Sequence, residues 1–164
     1  MTNYILSFIG GAIVSWLVCW IIKKLARLDE WGDVEAGLKQ PCIKPRYVKG
    51  GKSFYELASD FEFNEIEKID AGFVFDGASI PGFFWQVLGS PFCANMLRSA
   101  LIHDYRYRFI FRSNSLYDRQ AKRDMCKVAD YEFYNNLRKD GNRKIVAYFC
   151  FLAVRAYSTL KNAK

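Results

Sequence analysis

The sequence predicts an α+β fold preceded by a transmembrane helix, on three observations. Residues 4–22 (YILSFIGGAIVSWLVCWII) hold no charged side chain. Residues 54–75 carry short alternating apolar runs between polar stretches, the pattern of half-buried strands. From Asn95 onward apolar residues recur at helical spacing. The expected architecture is an N-terminal transmembrane helix, a small antiparallel sheet, an irregular Gly/Pro loop and three packed C-terminal helices. A chain of 164 residues with 51% hydrophobic content can bury one core, and such a composition is not that of a disordered protein.

The first element follows from length. A helix over residues 4–22 rises roughly 28 Å, close to the hydrocarbon thickness of a bilayer. Tyr4, Trp16 and Trp20 suit its two interfaces. No Lys or Arg precedes the run, while Lys23, Lys24 and Arg27 follow it, which favours an uncleaved anchor over a signal peptide. The positive-inside rule then predicts a single-pass protein with its N-terminus outside and its C-terminal domain cytoplasmic. Ser7, Gly11 and Ser15 form a small-residue face on which such helices could pair into an oligomer. The expected domains are an anchor at 1–27, a linker at 28–53 and an α+β domain at 54–164.

Within the linker, one short strand is expected near Cys42–Val48. FEF at 61–63 and GFVF at 72–75 are read as strands. Asp76-Gly77 and Pro81-Gly82 interrupt regular structure and predict the loop at 76–91. Helices are expected over 94–110, 116–138 and 143–160, with Gly141-Asn142 separating the last two. Ser115-Leu-Tyr-Asp118 is read as a capping box that starts the second. Arg155 ends the apolar run IVAYFCFLAV, so the third helix is expected to pack in the core rather than span a membrane.

Charge and cysteine content bound the chemistry. Residues 138–164 hold seven Lys/Arg against one acid, a basic third that would face either solvent or phosphate. The five cysteines include no C-x-x-C pair, and there is one histidine, so a zinc site is not expected. Free thiols fit a reducing compartment.

The single histidine, His103, lies in LIHDYRYR with Asp104 beside it and Tyr107 one turn on. A neutral imidazole can take a proton from water, and a carboxylate on its other nitrogen fixes the tautomer. The plain alternative is a hydrogen-bonded structural histidine. In the same spirit Asp104 could pair with Arg108 at i+4, and Asp130 with Lys127 or Lys122. Asp76 is either a metal ligand or a turn residue. Ser79 lacks the G-x-S-x-G setting of a serine nucleophile.

GFVFDGASIP, FFWQVLGSP, LIHDYRY, ADYEFYNNLRKDG and AVRAY, in that order, resemble the phage and prophage domain of unknown function DUF1353, over roughly residues 65–158. This resemblance implies a tailed-phage or prophage source, hence a host inner membrane for the anchor, and no established chemistry. HDYRY followed by ADYEF is also similar to the His-Asp-x-x-Tyr and Ala-Asp-x-x-Phe helices of phospholipase A2 domains. That second resemblance implies His103 as general base and Asp130 as the carboxylate that orients it. It implies Ca2+ held by Asp104 and by loop oxygens from 76–91, with Asp76 as the second candidate ligand. Tyr107 and Ser79 are supporting candidates, and Asp124 is the reserve for Asp130.

The expected function is a phage-encoded, membrane-anchored, calcium-dependent lipid ester hydrolase, with anionic lipid attracted to the basic C-terminal third. The alternative is a non-catalytic phage membrane or virion-associated protein with an exclusion, lysis-accessory or structural role. A nucleic-acid partner rests on charge alone and is not expected.

Overall fold

The computed structural model describes residues 16, 18, 20, 21, 23, 24, 32, 34, 35, 37–49, 52–64, 66–77, 94–113 and 116–162. Strands β1 (Ile43–Lys49) and β2 (Lys52–Leu57) pair antiparallel, Ile43 opposite Leu57 and Lys49 opposite Lys52. The sequence places Gly50-Gly51 between them, a dipeptide suited to the positive φ values of a two-residue hairpin. The register shifts between Pro45 and Tyr47, where proline cannot donate to the ladder. Strand β5 (Val74–Phe75) adds to the other side of β2, giving the order β1-β2-β5. Strands β3 (Phe61–Glu62) and β4 (Lys68–Ile69) form a separate two-stranded sheet.

Three helices follow: α1 (Ala94–Arg112), α2 (Arg119–Lys139) and α3 (Lys144–Asn162). The start of α1 packs on the end of α2 through Met96, Ala100, Phe133 and Leu137. The end of α1 packs on the start of α2 through Ile110, Cys126 and Ala129. The two helices are therefore antiparallel. Ala147, Cys150 and Val154 of α3 close the first cluster. The opposite face of α1, with Leu101 and Ile102, packs against Leu57, Phe61, Ile69 and Phe75 of the strands. Helix α1 is thus the central element, covered by sheet on one side and by helices on the other, and the residues it carries sit between the two layers.

The helix ends are set by local chemistry. Asp118 is itself the N-cap of α2, its side chain accepting a hydrogen bond from the Ala121 amide at 2.7 Å. This differs from the expected capping box by one turn, and Ser115 lies outside the described residues. At the other end, the Gly141 amide donates to the Arg138 carbonyl and the Asn142 amide to the Leu137 carbonyl, the two bonds of a Schellman motif. Gly141 has φ 84°, which an L side chain rarely adopts.

The transmembrane expectation is corrected. Of residues 4–22, only Trp16, Val18, Trp20 and Ile21 are described; they are helical, as are Lys23 and Lys24. Among the described residues no helix is long and apolar enough to cross a membrane. A span requires about 20 apolar residues in one helix. The Lys24 ammonium sits over the Trp20 ring at 5.1 Å. An uncharged run is necessary for a span but does not by itself make one. The inner-membrane location and the membrane contact through helix 4–22 rested on that span and fall with it. Ser7, Gly11 and Ser15 lie outside the described residues.

Candidate functional site

His103 lies at the middle of α1, with Tyr107 one turn on along the same face. Asp130 lies midway along α2 and is fully buried. The antiparallel crossing of α1 and α2 brings the three together. His103 Nε2 lies 2.8 Å from Asp130 Oδ1, and the Tyr107 hydroxyl donates to the same oxygen at 2.7 Å. The other oxygen, Oδ2, accepts from Arg155 Nη1 at 3.1 Å and faces the Ser158 hydroxyl at 3.4 Å, both from α3. One carboxylate therefore joins all three helices.

The electrostatics follow from this shell. Burial alone would push the Asp130 carboxyl up. The hydrogen bonds from His103 and Tyr107, the charge of His103 and the bond from Arg155 outweigh it and hold the group below its ordinary value of 3.8. Burial, then the bond to Asp130, raises the Tyr107 phenol, so it stays a donor. With an ionised carboxylate at Nε2, that nitrogen carries the proton and Nδ1 is left as the lone-pair nitrogen. Nδ1 makes no hydrogen bond among the described residues, and the His103 ring lines a small cavity of about 60 Å³ with Asp104, Tyr107, Phe133 and Tyr157. The ring is held in place by Tyr107 at 4.3 Å and Phe133 at 4.9 Å between centroids.

A larger cavity of about 540 Å³ opens beside it. Asp104, Tyr107 and Tyr157 line both. Its remaining walls come from β1 and β2 (Tyr47, Phe54), from β5 and the residue after it (Val74, Phe75, Asp76), and from α1 (Arg108, Phe111). Asp104 and Asp76, the two candidate metal ligands, therefore face one space. Adjacent helix residues point about 100° apart, and Asp104 reaches the space that His103 faces because the two cavities meet between their directions.

Other candidates fall elsewhere. Asp124 is exposed and accepts from Gln120 at 3.2 Å, one turn back on α2, so it has no part in the site. Ser79 lies outside the described residues, as does the loop beyond Gly77. Asp104 forms no ion pair with Arg108, whose guanidinium instead donates to the Val74 carbonyl. Among the described residues no three His, Cys, Asp or Glu side chains gather into a metal-holding group. Arg155 and Ser158 are the residues that sequence reasoning missed. Arg155 was legible only as the end of an apolar run, although a lone cation within a core-packed helix is itself a sign of a buried anionic partner.

A family model described as "Protein of unknown function (DUF1353)" matches residues 55–154. The chain belongs to the DUF1353 family. The match takes in β2 to β5, α1, α2 and most of α3, including His103, Asp104, Tyr107 and Asp130; Arg155 follows directly on its end. Among curated proteins, the "Uncharacterized protein y4jT" of Sinorhizobium fredii (strain NBRC 101917 / NGR234) is 40% identical over 58 residues, 33% of this chain. The chain spans 17% of that relative's length. No solved structure matches. The DUF1353 domain is here an α+β unit whose one histidine is tied to a buried aspartate between two helices.

Proposed function

We propose that this DUF1353 domain is a hydrolase of lipid-like esters in which His103 is the general base. The observation that carries the reading is the 2.8 Å contact of His103 Nε2 with the fully buried Asp130, which leaves Nδ1 as the basic nitrogen of a ring that lines a cavity. Water placed at Nδ1 gives up a proton to it as the oxygen bonds to the ester carbonyl carbon. The tetrahedral intermediate collapses with loss of the alcohol oxygen, which takes the proton back from the imidazolium. Asp130 favours the imidazolium while it exists and fixes the ring between the two transfers. Tyr107 and Arg155 keep Asp130 ionised and in place. The aromatic walls of the larger cavity suit an apolar acyl chain.

The transition state also requires charge stabilisation at the carbonyl oxygen. Asp104 and Asp76 line one cavity and fit a calcium ion as two of its oxygen donors, with backbone carbonyls and water completing the usual six to eight. When bound there, calcium would polarise the ester carbonyl.

The test is hydrolysis of short-chain phospholipid and of an uncharged short-chain ester by the full chain, with calcium or with a chelator. Wild type should release fatty acid with calcium, and His103→Ala should lower turnover by about a hundredfold. No release under either condition, or turnover that survives His103→Ala, removes the proposal. In that event Asp130 with its donors from α1 and α3 would serve as a structural tie between helices.

A further inference from the structure

We infer that Arg108 is an anion-recognition residue of the larger cavity, so that the ligand carries a phosphate or carboxylate next to its apolar part. The inference deepens the hydrolase reading and rests on it only for which bond is cut.

Three of the other buried or half-buried arginines have carboxylate partners. Arg98 pairs with Asp140, Arg106 with both Glu67 and Glu132, and Arg155 with Asp130. Arg108 differs. Its Nη2 donates to the Val74 carbonyl, its guanidinium carbon lies 4.2 Å from the Phe73 ring centroid, and among the described residues it forms no ion pair. A guanidinium carries five N–H donors, and among the described residues one is used. The stacked, anchored group lines the 540 Å³ cavity. It is therefore a cation fixed by a sheet carbonyl and an aromatic face, with donors left for a ligand and little side-chain entropy to lose on binding. Planar forks of this kind recognise phosphate and carboxylate oxygens in pairs.

Position ties the residue to the chemistry. Arg108 follows Tyr107 directly and lies one helical turn beyond Asp104, and both of those line the cavity of His103 as well. An anion on Arg108 would thus hold the ligand in the cavity whose Asp104 and Tyr107 walls are shared with that of His103. Asp76 and Asp104 in the same cavity oppose any anion that fails to reach the guanidinium, so recognition falls on Arg108 rather than on a general positive field.

The test is equilibrium binding to the full chain, in chelator so that no metal contributes. The probes are ether-linked, non-hydrolysable short-chain lipids with a phosphoglycerol or an uncharged glycerol head, and inorganic phosphate as competitor. The charged lipid should bind at least about tenfold more tightly than the uncharged one. Arg108→Gln should abolish that difference without weakening the uncharged lipid. Arg108→Lys, which keeps the charge and loses the fork, should retain part of it. Binding is read without turnover, so that a failed hydrolysis assay leaves this result standing. Competition by inorganic phosphate would assign recognition to the anion alone. Failure to compete against a tightly held charged lipid would assign it to the anion joined to its chains; either supports the inference. Equal affinity of wild type for both lipids overturns it, as does a preference that survives Arg108→Gln. Should Arg108→Gln fail to fold, the wild-type comparison and the Lys variant decide.

Discussion

Asp130 has no exposed surface, yet both its oxygens are engaged, by His103 and Tyr107 on one side and by Arg155 and Ser158 on the other. A buried carboxylate persists only when its lost hydration is replaced in this way. Its folded pKa lies below 3.8, so the folded chain binds the proton less readily than the unfolded chain. The stability it contributes is full above that ordinary value and is lost as pH falls through the lower, folded value. Asp130→Asn should therefore flatten the loss of stability on acidification below about pH 4, measured by urea midpoints at stepped pH. Asp140 has the opposite sign: burial raises it against the bonds from Ser99 and Arg98, so its contribution is lost as pH rises through its folded value. Removing the cation from Asp130 with Arg155→Met should cost about 2–4 kcal/mol by urea denaturation, because it leaves a buried charge short of its partner. His103, Asp104, Tyr107 and Asp130 were legible in the sequence because they lie in two short motifs. Arg155 and Ser158 were not: a cation inside an apolar helix signals some buried anion, but nothing local says which carboxylate, and this one lies 25 residues away.

Helices were easier to read than strands. The three helices begin and end within about three residues of their expected limits, since each repeats its apolar face several times and ends at a strong signal. Gly141 is such a signal. A Cβ there would meet Val34 Cγ2 at 2.7 Å, and the positive φ adds strain. Gly141→Ala should lower stability by about 1–3 kcal/mol, read as a shift in urea midpoint with unchanged slope. The strands are shorter, three of them only two residues long, and so offer little period to detect. The first two residues of β2, Lys52 and Ser53, lie in the stretch expected to be linker, because Gly50-Gly51 fits a loop-forming stretch as well as a hairpin turn. Phe133 marks where element packing and site meet. It fills the α1–α2–α3 cluster and touches the His103 ring, so Phe133→Ala should cost about 3–5 kcal/mol and loosen the imidazole as well.

At the scale of the molecule, the cavity beside His103 is assembled from segments far apart in the chain. Tyr47 and Phe54 come from the first hairpin, Val74 to Asp76 from around the third strand of its sheet, Arg108 and Phe111 from α1, and Tyr157 from α3. Such walls arise from long-range packing, which a motif cannot encode, and so neither the cavity nor the place of Arg108 in it was legible. The apolar N-terminal run predicted a span, and among the described residues no helix is long and apolar enough to cross a membrane. A chain with one histidine allows the central claim, that Asp130 holds Nε2–H and leaves Nδ1 as the base, to be read without assignment of any other imidazole. The measurement is the ¹⁵N spectrum of the intact chain, labelled at histidine, at neutral pH. The account predicts that the ring in its neutral form carries the proton on Nε2 with a bare Nδ1, and that Asp130→Asn loses that fixed tautomer. A proton on Nδ1 in wild type, or a tautomer mixture that Asp130→Asn leaves unchanged, would contradict it.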